Sequence, residues 1–193
     1  MSGPPPALLF IVGPPAVGKM ATGEAIAART GFRLFHNHHA IDLALEFFPF
    51  GTPPFHRIVG DIRRRVFEEV AASDLPGLIF TYVWAFDLPA EAKTVDGYAA
   101  PFRWRGGRVL FAELETSQAE RLRRNVTPLR LARKPTKRDL EASRRNLLEL
   151  DAQYRMNSRG EFDGRDDYLK LDNTTLTAAE SAERIIGHFG LGR

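Results

Sequence analysis

Eight residues near the start of the chain have the types and spacing to do chemistry: Gly13-Pro14-Pro15-Ala16-Val17-Gly18-Lys19-Met20. They fit G-x-x-x-x-G-K, a loop whose backbone N–H groups turn inward around a polyphosphate while the lysine reaches the β- and γ-phosphates. The glycines permit the curl. A helix behind the loop adds about half a positive charge at its N-terminus. The last position ordinarily supplies a Ser or Thr hydroxyl to Mg²⁺, and here it is Met20. A thioether is a soft, weak ligand for a hard cation. The next hydroxyl, Thr22, lies about 200° further around a helix, so a water is the expected substitute ligand. The motif predicts ATP binding and leaves both metal support and turnover open.

Such a loop works only between a strand and a helix. Ala7–Val12 is an unbroken apolar run, the pattern of a buried parallel strand. Lys19–Thr30 reads as a helix ended by Gly31. Further strands are expected at Phe32–His36, Leu78–Val83, Val109–Leu114 and Tyr168–Leu171. Helices are expected at Ala40–Phe48, Phe55–Ser73 and Pro89–Phe102, then after Ser117, from Thr136 to about Asn157, and after Thr177. On the Phe55–Ser73 helix, Ile58, Ile62, Val66 and Val70 form the apolar stripe; some of Arg57, Arg63, Arg64 and Arg65 could reach an anionic acceptor, and most fall on the solvated face. Asn125–Pro135 reads as an exposed loop.

Strands alternating with helices predict a parallel sheet covered on both faces, with ligands at the carboxyl ends of the strands. That rule selects the residues that follow each strand. His36 and His38 point to one side of an extended chain and suit a substrate-facing edge, as hydrogen-bond partners or a general base. Their alternative is capping of the helix at Ala40. Asp42 lies one turn into that helix; it either faces the same cleft or is a favourable acid near a helix start. Trp84 either stacks on a planar acceptor or packs in the core. Asp87 either holds metal-bound water or acts as a base, or else caps the helix at Pro89. Arg121 can stack on an adenine ring. Arg124 and Arg130 would then fold over the phosphates as a lid spanning approximately residues 123–136.

Composition bounds the remaining choices. The 193 residues suit one domain, residues 1–193, and 44% hydrophobic content suits a real core. Without cysteine, disulfides and zinc–thiolate sites are excluded. No signal peptide or membrane-spanning run is legible, so a cytoplasmic protein without membrane association is expected. Net charge is +3, but eight Lys and Arg residues lie between Arg121 and Arg138 with no acid among them. That cluster suits a polyanion, either nucleotide phosphates or nucleic acid.

With these segments in place, the chain resembles the P-loop nucleoside-monophosphate-kinase-like superfamily, which includes adenylate, shikimate and gluconate kinases. It is more closely similar to bacterial AAA-family or shikimate-kinase-like ATPases of uncharacterised function. The likeness is carried by Gly13–Met20, Phe35–His38, Gly51–His56, Phe80–Trp84 and Asp172–Thr174. It implies a three-layer αβα fold with a five-stranded parallel sheet in order 2-3-1-4-5 and a small arginine-rich lid. It implies ATP phosphates on Gly13–Met20, adenine between Arg121 and the Asp172–Asn173 region, and a small-molecule acceptor beside His36, His38 and Trp84. Two departures stand out. His36-Asn37-His38 replaces the acids that follow the second strand in shikimate kinases, and no acid closes the third strand. The expected activity is transfer of the γ-phosphoryl of ATP, with Mg²⁺, to a small acceptor. The rival readings are a nucleotide-binding protein with little turnover and a nucleic-acid-directed kinase.

Overall fold

The structure is a computed structural model that describes residues 3–127 and 139–192. Its strands are β1 (Ala7–Val12), β2 (Arg33–His36), β3 (Gly77–Thr81), β4 (Val109–Glu115) and β5 (Tyr168–Asp172). They form one parallel sheet in the order β2-β3-β1-β4-β5. The helices are α1 (Lys19–Thr30), α2 (His38–Leu45), α3 (Pro53–Ala71), α4 (Pro89–Trp104), α5 (Gln118–Asn125), α6 (Leu140–Gln153) and α7 (Ala178–Phe189). No helix among the described residues is long and apolar enough to cross a membrane.

The apolar runs of β1, β3 and β4 are buried because helices cover both faces of the sheet. Alternation along β1 divides the core in two. Leu8, Phe10 and Val12 join an aromatic-rich cluster with Phe67, Phe80, Phe102 and Phe111, under α3 and α4. Leu9 and Ile11 join an aliphatic cluster with Ile26, Ile79, Leu114 and Ile185, under α1 and α7. Each face buries large side chains to near-zero exposure, which fixes the strand ends, and hence the loops above them, in register.

Several boundaries differ from the pattern-based expectation. α6 begins at Leu140, capped by Asp139, whose side chain accepts from the Ala142 amide; Thr136 lies outside the described residues. It ends at Gln153 instead of about Asn157, because the chain beyond is held by tertiary hydrogen bonds. Asn125 is a buried residue at the end of α5, bonded to Ser143, rather than the start of an exposed loop. α3 is rotated by about one residue, so its fully buried face is Phe55, Val59, Arg63, Phe67 and Ala71. Ile58, Ile62, Val66 and Val70 flank that face. Arg63 therefore leaves the solvated side and enters the aromatic core.

Candidate active site at the phosphate loop

The loop from Gly13 to Gly18 joins β1 to α1 and is built by left-handed backbone. Gly13 has φ 131°, Ala16 has φ 63° and Gly18 has φ 109°. Ala16 is the only non-glycine residue at positive φ among those described, a conformation that costs roughly 1 kcal/mol or more and concentrates at functional sites. At Gly13 a Cβ would sit 2.4 Å from the Leu114 carbonyl oxygen, so the loop's first turn closes against the end of β4. At Gly18 a Cβ would meet the Asn173 amide at 3.3 Å. Lys19 folds back over the loop, its Nζ donating to the Gly13 and Pro14 carbonyls at 2.6 and 2.8 Å.

The flank of the loop is braced from two directions. Asn173, which follows β5, is buried and donates Nδ2 to the Val17 carbonyl at 2.8 Å. Arg124 on α5 donates to the same carbonyl at 3.0 Å, to Asn173 Oδ1 at 3.2 Å, and to the Asn173 and Thr174 carbonyls. Its Nε donates to Glu120. Asp172 accepts from the Thr174 amide and hydroxyl, which holds its carboxyl below the usual range. Arg124, expected in the lid, and Asn173, expected beside the adenine, both donate to the Val17 carbonyl of the loop, while the Asp172 carboxylate is bonded to Thr174.

Arg121 is also at this side but is buried in a bidentate pair with Asp151 of α6, at 2.9 and 2.5 Å. Arg123 pairs with Glu120. The described part of the basic cluster is therefore engaged with acids from its flanks. Arg130 and the rest of the 128–138 segment lie outside the described residues. The Ser117 hydroxyl caps α5 by accepting from the Glu120 amide at 3.2 Å. Glu120 spends its carboxylate on Arg123 and Arg124 instead of completing a capping box. Hydrogen bonds from Arg123 lead those that pull its pKa down to about 2.

On the opposite side, His36 ends β2 and His38 opens α2, with ring centroids 6.5 Å apart. His38 Nδ1 lies 3.4 Å from Asp42 Oδ1. Beneath them is the buried Arg63, whose Nη2 donates to Asn37 Oδ1 at 2.5 Å. Its Nε makes no hydrogen bond among the described residues, and its guanidinium lies 5.7 Å over the Phe80 ring. Tyr82 follows β3 and donates to Glu91 at 2.5 Å. Burial, then that bond, pushes its phenol up. Trp84 is buried, stacked on Phe86 at 4.7 Å and packed on Phe162. Asp87 is exposed and accepts the Arg155 amide, while Leu88 takes the N-cap position of α4.

On the α5–α6 side of the loop is a cavity of about 300 Å³ lined by Pro14, Glu115, Arg121, Asp151, Arg155 and Arg159, among others. Pro14 belongs to the loop between β1 and α1, and Arg155–Arg159 follow α6. Sequence reasoning weighed Arg63 only as one of four arginines of which some could reach an anionic acceptor, and did not single out Arg155 or Arg159. The usable signal for Arg63 was its i, i+4 spacing with Val59 and Phe67.

No protein-family model matches the chain, and no curated protein matches it by sequence. Solved structures do match. A gluconokinase from Sinorhizobium meliloti 1021 is 15% identical, with a TM-score of 0.57, over 96% of this chain and 92% of its own. The Mycobacterium tuberculosis APS kinase, solved with AMPPNP and APS, is 13% identical, with a TM-score of 0.62, over 97% and 99%. The Acinetobacter baumannii shikimate kinase, solved with shikimate, is 18% identical, with a TM-score of 0.55, over 94% and 91%. The chain has the P-loop kinase fold. The loop after β1 holds its glycines and Lys19 and is braced from β5 and α5. For Mg²⁺ the residues present fit poorly. Met20 offers no hydroxyl, and among the described residues no three His, Cys, Asp or Glu side chains converge.

Proposed function

We propose that the protein is a kinase that moves the γ-phosphoryl of ATP to a small-molecule acceptor. The left-handed loop at Gly13, Ala16 and Gly18, with Lys19 poised over it, carries this reading. Loop amides and the start of α1 favour a polyphosphate. The Lys19 ammonium would exchange the Gly13 and Pro14 carbonyls for phosphate oxygens, where charge-assisted bonds are stronger. Gluconokinase, APS kinase and shikimate kinase, sharing this fold, support a hydroxyl-bearing or anionic acceptor. Mg²⁺ would enter on the nucleotide, held by phosphate oxygens and water.

The acceptor side then lies at His36, His38 and Asp42. The His38–Asp42 pair would take a proton from an acceptor hydroxyl, a reading supported by their 3.4 Å contact. Arg63, buried with a guanidinium edge left over from Asn37, suits an anionic group on the same acceptor. Catalysis is positioning plus charge stabilisation by Lys19, the loop amides and the arginines around the cavity. Arg130, at the expected lid, belongs to the same proposal.

Incubation with ATP labelled at the γ-phosphate and a panel of sugar acids, hydroxy-carboxylates and nucleosides tests this. Label on one acceptor, with Arg63→Lys raising that acceptor's KM about tenfold, is expected where a planar fork binds an anion. ATP bound without transfer to any acceptor would favour the non-enzymatic reading that Met20 motivates.

A further inference from the structure

Among the described residues Glu113 is the only buried acid, and it is fully buried. It lies in β4 opposite Val12, the residue before the phosphate loop. Its Oε1 accepts from Asn157 Nδ2 at 2.8 Å and from the Ser158 amide at 2.9 Å. Its Oε2 accepts from the Tyr168 hydroxyl, which also bonds the Ser158 hydroxyl at 2.8 Å. Burial, then Glu113, raises the Tyr168 phenol. Lys170 approaches Glu113 at 3.7 Å and donates to the Ser158 carbonyl at 2.9 Å. Asn157 also donates to the Leu114 carbonyl, the atom against which Gly13 closes.

A buried carboxylate is costly unless its oxygens are satisfied. Here the donors come from a single stretch, 157–158, and from β5. Glu113 therefore fastens the chain that leaves α6 onto the sheet, beside the first turn of the phosphate loop. That stretch carries Arg155 and Arg159. Arg155 pairs with Glu161 and donates to the Phe86 carbonyl. Arg159 is exposed, lines the cavity with Pro14, and makes no side-chain ion pair among the described residues.

We propose that Glu113 is a positioning residue: through Asn157 and Ser158 it holds the Arg159 guanidinium over the cavity beside Pro14, where the transferred phosphoryl group would lie. The inference rests on the kinase reading above. A misplacement of about 1 Å in such a group costs up to about a hundredfold in rate. Loss of the fastening therefore lowers kcat and leaves ATP affinity, carried by Gly13–Lys19, in place.

The test is steady-state turnover, read as ADP release with the acceptor panel. Glu113→Ala is expected to lower kcat about 10–100-fold with the KM for ATP changed less than about twofold. Glu113→Gln keeps an oxygen for Asn157 and Ser158, and should recover most of the rate. In an Arg159→Ala background, Glu113→Ala should cost nothing further, since the two act as one unit. Asn157→Ala carries the same test if Glu113→Ala does not fold. Active wild type with kcat unchanged in the folded variants, or with effects that multiply with Arg159→Ala, overturns the positioning role alone. Wild type that turns over no ATP overturns the kinase reading and this role with it.

Discussion

Arg124 donates to the Val17 carbonyl at 3.0 Å, so one guanidinium ties α5 to the Gly13–Gly18 loop. The same group reaches the Asn173 and Thr174 carbonyls at 2.8 and 3.0 Å. The loop, α5 and the chain after β5 are therefore fastened together. Arg124→Ala should weaken binding of a non-hydrolysable ATP analogue by roughly tenfold, since hydrogen bonds to charged groups are worth about 1.5–3 kcal/mol. Arg124→Lys should recover little, because a point charge cannot span three carbonyls. Titration calorimetry reads both.

The sequence made half of this arrangement legible. Gly13, Gly18 and Lys19 are local signals, and the run Ala7–Val12 fixes the strand before them. Their carriers β1 and α1 fall on the expected residues. The braces were harder to see because they act at long range. Asn173 and Val17 are 156 residues apart, and Glu113 is 44 residues from Asn157. Glu113 was visible as an acid inside Val109–Leu114, but its donors come from a segment without periodicity. The same segment ends α6 early: the Asp87 and Glu113 carboxylates take backbone amides at Arg155 and Ser158 that would otherwise be helical. Trp84 admitted two readings, and its side chain is packed between Phe86 and Phe162.

The Arg121–Asp151 pair joins α5 to α6 with both side chains largely buried, 7% and 13% exposed. Removing one partner strands the other charge. Asp151→Asn or Arg121→Met should each cost about 3–5 kcal/mol in urea unfolding, and Arg121→Met with Asp151→Leu should recover most of it. Loss of under 1 kcal/mol in the single variants would show the pair to be solvated.

Glu120 gives the stability a defined acid branch. Its carboxyl is ordinarily near 4.5 and is held at about 2 in the fold, chiefly by Arg123. The folded state therefore binds this proton less readily than the unfolded chain. The stabilisation is complete above pH 4.5 and is lost as pH falls from there toward 2. Glu120→Gln should be less stable than wild type at pH 7, and the gap should close between pH 4.5 and 2. A gap constant across that range contradicts the assignment.

Lys19 decides the central claim. Its ammonium donates to Gly13 and Pro14 at 2.6 and 2.8 Å, and the account gives it the β- and γ-phosphates during transfer. The direct measurement is ATP turnover by wild type and Lys19→Ala, with folding checked by thermal melting. A fall in kcat of about a hundredfold or more, the usual effect of removing a preorganised charge-stabilising donor, is predicted. Equal turnover by a folded Lys19→Ala protein would contradict it.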